Sequence, residues 1–181
     1  MTFEDSNDVR TLIRLLRQIT PGWLPEDVFL ELARITVLSI VELVPVRVSD
    51  DGEVEVLLLP RSMDDKVWPG MLHTPGTVLR PTDVSHDAAL QRIIDRELGS
   101  PLLRDTPFFV GNQFHVVRRG TENAAVYCVE LDGQPPRGAF HRSDDLPASL
   151  VETQRSTIEL VVGALRRRTG GGPVEALEPP R

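Results

Sequence analysis

At Thr36 the periodicity of this chain changes. Residues 37–48, VLSIVELVPVRV, are apolar and β-branched almost throughout, which predicts a strand. Asp50-Asp51-Gly52 predicts a tight turn, and Val54 to Leu59 the returning strand of a hairpin. Upstream, residues 8–19 place Val9, Leu12, Leu15, Leu16 and Ile19 on one helical face, and Pro21-Gly22 ends that helix. Pro25 opens a second short helix running to Arg34, with Glu26 and Asp27 in its first turn, where the helix dipole favours acids. Downstream, residues 60–82 read as loop, punctuated by Pro60, Pro69, Gly70, Pro75, Gly76 and Pro81. A helix is expected from about Ser85, a capping residue, to Leu98, with Gly99 as its stop. Strands at about 108–118 and 124–131 follow, then a loop marked by Asp132-Gly133 and Pro135-Pro136 and a short strand. A long helix over 150–168 closes the pattern, with Leu150, Ile158, Val161, Val162 and Leu165 as its stripe. Helical hairpin, β-hairpin, loop, helix, β-hairpin, short strand and helix make a mixed α/β or α+β layer fold.

Composition narrows the function classes. The 181 residues suit one ordinary domain. No apolar run reaches the length of about 18 that a membrane span needs, so no membrane is expected as partner. The polar, acidic start from Met1 to Asp8 does not read as a secretory signal, and the expected compartment is the cytoplasm. Lys+Arg number 20 against Asp+Glu 27, a net charge of −7, which argues against a broad nucleic-acid surface but leaves room for a local arginine cluster on a phosphate. The single cysteine, Cys128, excludes an internal disulfide and a cysteine-based zinc site; its place in an apolar strand predicts core. The expected organisation is a helical extension over 1–35, a main domain over 36–168 and a Gly- and Pro-rich, disordered tail over 169–181.

The chemistry is concentrated in residues 73–99, HTPGTVLRPTDVSHDAALQRIIDRELG. A Pro-Gly loop leads into a helix ending in Arg92, Glu97 and Gly99, and this resembles the Nudix box of the Nudix hydrolase family. The surroundings agree. A β-hairpin ending in Leu-Pro-Arg at 59–61 precedes it, Trp68 and Pro75-Gly76 come before the helix, and Phe140 with Asp145-Leu146-Pro147 follows two later strands. The resemblance covers about residues 36–167. It implies an α/β/α sandwich with a mixed sheet, and hydrolysis of a nucleoside diphosphate linked to another group by a Mg²⁺-dependent enzyme.

The helix of that family carries three glutamates, whose carboxylates hold a hard cation that polarises a diphosphate and activates water. The matching positions here are Ile93, Arg96 and Glu97, and the nearest acid in the preceding loop is Asp83. The box is degenerate, and the resemblance implies at most one Mg²⁺, held by Glu97 and a loop carbonyl near Gly76. The run from Arg92 to Gly99 is similar to the helix of the GDP-mannose mannosyl hydrolases, a branch that also keeps only the last glutamate. That similarity implies diphosphate contacts from Arg61 and Arg80, a metal ligand in Gln134, and a nucleotide sugar among the possible substrates. The branch has its catalytic base where this chain has Pro135, so His73 and His115 remain the candidates. Arg92 is expected in a structural ion pair beneath the loop.

Other residues carry two readings each. Trp68 is read either as a stacking surface for a base or sugar or as packing. Alternation along the strand puts Gln113, His115 and Val117 on one face, with Phe114 and Val116 on the other. His141 near Asp144 and Asp145 has the spacing of a solvated loop, and Arg118-Arg119 that of a solvated hairpin tip. Arg166-Arg167-Arg168 suits a helix C-terminus. Two functions stay open: a Nudix-type hydrolase, and a Nudix-fold nucleotide-binding or regulatory module that has lost hydrolysis, with Arg96 on the phosphate. The apolar stripes of the N-terminal hairpin must be buried against their own domain or a partner, which leaves a homodimer possible.

Overall fold

The computed structural model describes residues 7–49, 52–99 and 104–169. Asp50 and Asp51 of the expected turn, and the tail beyond Thr169, lie outside the described residues. Two helices, α1 (Asn7–Leu16) and α2 (Glu26–Ile35), lead into the strands β1 (Val37–Val48) and β2 (Val54–Pro60). Two very short strands follow, β3 (Leu72–His73) and β4 (Gly76–Val78), then helix α3 (His86–Ile93). Next come β5 (Phe108–Val117), β6 (Gly120–Glu130), β7 (Ala139–Arg142) and helix α4 (Gln154–Thr169).

All seven strands form one mixed sheet, with β3-β2-β1-β6-β5 as its main path, β4 on β1 and β7 on β2. β1 runs parallel to β6 from the pair Val37–Thr121 to Val46–Glu130, and antiparallel to β2 and β4. Its side chains alternate between two buried layers. Ile40, Val44 and Val46, with Val56 and Leu58 of β2 and Val126 and Cys128 of β6, pack under Ile158, Val161 and Val162 of α4. Val41 and Leu43, with Leu57 and Leu59, pack under Ala89, Leu90 and Ile93 of α3. The result is a helix–sheet–helix sandwich, as the resemblance implied, with Cys128 fully buried in it.

Several local details differ from the sequence reading. Residues 60–82 are not all loop, because β3 and β4 are drawn into the sheet by β2 and β1. Ser85 caps α3, accepting from the Ala88 N–H at 3.2 Å, but regular α geometry stops at Ile93. Residues Ile94–Leu98 form a π-helical turn closed by the Gly99 N–H donating to the Ile94 carbonyl at 3.1 Å. β6 begins at Gly120, not near 124, because Val117 pairs directly with Gly120 across a two-residue turn. α4 starts at Gln154, since Leu72 donates to the Ser149 carbonyl and accepts from Val151, holding that segment extended alongside β3.

α2 is seated by the backbone of the β5–β6 turn. A Cβ at Gly120, where φ is +146°, would stand 2.0 Å from the Ala33 carbonyl oxygen, so only glycine lets the helix approach this closely. α1 buries no residue, and Leu12, Ile13, Leu15 and Leu16 are all exposed. Phe114 and Val116 are exposed on the outer face of β5.

Ile93 is 1% exposed in the layer beneath α3. A carboxylate there would be buried in hydrocarbon without a partner. Ile93→Glu is expected to cost about 3 kcal/mol or more, against roughly 1 kcal/mol for Ile93→Val, as read by urea unfolding.

Candidate functional site

Two adjoining hollows, of about 180 and 200 Å³, open beside β3 and β4 and share Arg61, His73 and Gly76 as walls. The outer lobe is lined by Arg61, Ser62, Asp65, His73, Gly76, Arg96, Glu97 and Arg137. Glu97 is brought there by the π-helical turn at the end of α3, and Gly76 by the pairing of β4 with β1. Arg92 ties these parts together. It donates to Asp83 (Nη2 to Oδ2, 2.6 Å), to Thr77 Oγ1 (2.7 Å) and to the Val78 carbonyl (3.4 Å), linking helix, loop and β4. The Arg92 guanidinium holds Asp83 below the usual carboxylate range.

The outer lobe is rich in guanidinium. Arg61 pairs with Asp65 at 2.8 Å, and the Asp65 carboxylate also accepts from the Val67 and Trp68 N–H groups. Arg96 reaches Glu97 at 3.3 Å. Burial raises the Glu97 pKa, outweighing the opposing fields of Arg96, Arg137 and Arg61. His73 is pushed down to about 4, first by burial and then by Arg61, so its imidazole is neutral at pH 7.

The more enclosed lobe holds a polar network that the sequence reading missed. Glu42 of β1 is 8% exposed and faces α4. Its Oε1 accepts from Gln154 Nε2 at 3.0 Å and contacts the Thr74 hydroxyl, which also contacts Gln154 Oε1. The Thr74 N–H donates to Gln154 Oε1 at 3.0 Å. The other carboxylate oxygen of Glu42 packs on Gly76, where a Cβ would stand 2.7 Å from it. Burial pushes the Glu42 carboxyl up to about 7 against these hydrogen bonds, and Glu122 and Glu97 add to the rise. The available signal was an acid inside an apolar strand, VEL, at an even-numbered position shared with Ile40 and Val44.

The wall between this lobe and α2 is a stack of alternating charge and ring. Arg61 and Arg119 both lie 5.2 Å from the Trp68 ring, and Arg119 lies 5.6 Å from that of Phe29. Trp68 is 3% exposed and its indole N–H donates to Glu152 at 3.1 Å. It is therefore packing that fixes Arg61, and it offers no free face to a base or sugar. Arg119, expected as a solvated hairpin tip, is instead half-buried and paired with Glu122 at 2.5 Å.

The remaining candidates lie elsewhere. Arg80 borders a separate apolar groove with Trp23, Leu24 and Phe29. His115 contacts Gln113 Oε1 at 3.3 Å on β5, and Gln134 donates to the carbonyls of Pro135 and Gly138; neither lines the two lobes. Arg137 and Glu42 line them without having been singled out.

The donor set limits what cation this cleft suits. Ile93 is core, Arg96 is a cation, and no group of three or more His, Cys, Asp or Glu suited to a metal occurs among the described residues. A two-cation centre does not fit. One Mg²⁺ fits only on Glu97 with main-chain oxygen near Gly76 and water, since Mg²⁺ commonly keeps several waters.

The two buried titratable groups have opposite effects on stability. From about pH 4 to 6.5 the unfolded chain holds more protons at His73, so that group adds stability as pH rises. From 4.5 to about 7 the folded chain holds more protons at Glu42, so that group removes stability as pH rises. Glu42→Gln keeps the shape of the protonated acid. Its stability relative to wild type is expected to improve by about 3 kcal/mol between pH 4 and pH 8, measured by denaturant unfolding at each pH.

No protein-family model matches the chain, and no curated protein matches it in sequence. Solved structures do match its fold. The Nudix domain of Shewanella oneidensis NrtR, in complex with ADP ribose, is 16% identical with a TM-score of 0.59, over 84% of this chain and 97% of that one. A MutT/Nudix family protein from Listeria innocua is 14% identical with a TM-score of 0.61, over 74% and 98%. The Ap4A hydrolase of C. elegans is 16% identical with a TM-score of 0.55, over 72% and 99%. The chain has the Nudix fold.

Proposed function

We propose that this protein is a Nudix-type hydrolase of a nucleoside diphosphate joined to another group, working with at most one Mg²⁺. The observation that carries this reading is the outer lobe, where Arg61, Gly76 and Glu97 converge with His73. The ligand class draws support from the neighbours: the NrtR Nudix domain binds ADP ribose, and the nematode enzyme is named for Ap4A. A nucleotide sugar belongs to the same class.

In this reading Arg61 grips the diphosphate. Its side chain is already held by Asp65 and stacked on the buried Trp68, so little conformational freedom is lost on binding. A planar guanidinium suits two phosphate oxygens at once. When bound on Glu97, Mg²⁺ would supply charge neutralisation at the diphosphate and a more acidic water. His73, neutral at pH 7, serves as a proton acceptor weakened by its burial, and Glu42 lies beyond Gly76 as a second proton carrier. His115 lines neither lobe and is given no part.

A second reading, a nucleotide-binding module without turnover, is favoured by one specific contact. The guanidinium of Arg96 already occupies the Glu97 carboxylate, so Glu97 has less negative charge to offer a cation. The hydrolase reading expects product release from a panel of nucleoside diphosphate derivatives with Mg²⁺. It expects Glu97→Gln to lower kcat by 100-fold or more with an unchanged melting temperature. Full activity in that variant removes Glu97 from the mechanism. Tight binding of the panel by wild type with no product selects the module.

A further inference from the structure

We infer that the outer lobe binds the diphosphate of its ligand on three guanidiniums, Arg61, Arg96 and Arg137, with no divalent cation needed to bridge them. This deepens the proposed function and rests on its ligand class. The three side chains line one hollow of about 200 Å³ with Glu97 and Asp65, three positive charges against two negative. A diphosphate brings the negative charge that the lobe lacks, whereas a divalent cation adds to the excess.

The three arginines differ in how firmly they are held. Arg61 is fixed by Asp65 and Trp68. Arg96 has 62% of its side chain exposed and a single 3.3 Å contact to Glu97, so it is able to turn to an incoming anion. Arg137 is exposed at the lobe's edge, reaches the site through the loop after β6, and makes no ion pair with a described residue. One fixed guanidinium at the base and two mobile ones at the rim provide a clamp. Such forks make paired, charge-assisted hydrogen bonds to phosphate oxygens. Ile93 supports the division of labour: the face of α3 nearest the core supplies packing and no charge to the cleft.

The test is isothermal titration calorimetry of the full chain with ADP-ribose, a UDP-hexose and a dinucleoside tetraphosphate, each in EDTA and in Mg²⁺. The expected result is that at least one probe binds, with a Kd in EDTA within about threefold of that in Mg²⁺. Arg96→Ala and Arg137→Ala should each weaken it about tenfold in EDTA, while Arg96→Lys keeps part of the affinity and Arg34→Ala, on the exposed face of α2, changes nothing. Circular dichroism melts confirm that each variant is folded. Binding that appears only with Mg²⁺, or that ignores both arginine substitutions, overturns the inference and leaves the ligand class standing. No binding of any probe in either buffer overturns the ligand class and the inference with it.

Discussion

Ten consecutive residues of β1, Val37 to Val46, pair in parallel with β6, and every feature of the cleft inherits its position from that ladder. Parallel pairing buries a strand on both faces, so β1 must be apolar on its odd and even positions alike. Glu42 breaks that requirement. It stays folded into the sheet because Gln154 donates to it and Thr74 closes on it, replacing water that burial removes. The same residue sets the partner strand. Gly76 pairs with Glu42, and only a residue without a side chain lets the carboxyl lie against it. Gly76 in turn places Thr77 and Val78, to which Arg92 of α3 is bonded, and α3 carries Arg96 and Glu97 into the lobe. One buried acid in a central strand thus fixes how a helix on the opposite face of the sheet meets the cleft.

Much of this was legible in the residues and some of it was not. The strands β1, β2 and β5 and the cap at Ser85 follow from local pattern, because side-chain period and capping chemistry act over a few residues. β3 and β4 are two and three residues long, too short to show a period, and exist only because β2 and β1 lie beside them. For the same reason Trp68 stayed open between two readings and Arg119 was misplaced. Each depends on the other and on Phe29, Glu122 and Glu152, contacts made by segments distant in the chain. Arg137 gave no local signal at all, since a lone arginine after Pro135-Pro136 reads as solvent-exposed loop.

Burial acts on the two proton-bearing groups of the cleft in opposite directions, and the outcome is the same for both. It pushes the His73 imidazole down to about 4 and the Glu42 carboxyl up to about 7, so between those two values each prefers its uncharged form. Glu97, partly buried at the end of α3, is raised as well. Arginine resists this effect, because its guanidinium stays charged at any working pH, and Asp65 keeps its charge through Arg61 and the Val67 and Trp68 N–H groups. The outer lobe therefore presents three lasting cations, Arg61, Arg96 and Arg137, beside the carboxyl groups of Asp65 and Glu97.

The altered positions of a degenerate box differ in what surrounds them. A carboxylate lost from an exposed helix face can be replaced by water or by a neighbouring acid. Here Ile93 is part of the packed layer with Leu57, Leu59 and Leu90, so its side chain holds the helix to the sheet. Arg96 is a reversal of charge beside the one carboxylate that remains. At the end of this helix Ile93 serves packing and Arg96 brings a positive charge to the lobe. The fold is kept because its demands fall on apolar contacts and on the Arg92–Asp83 tie, neither of which the altered positions disturb.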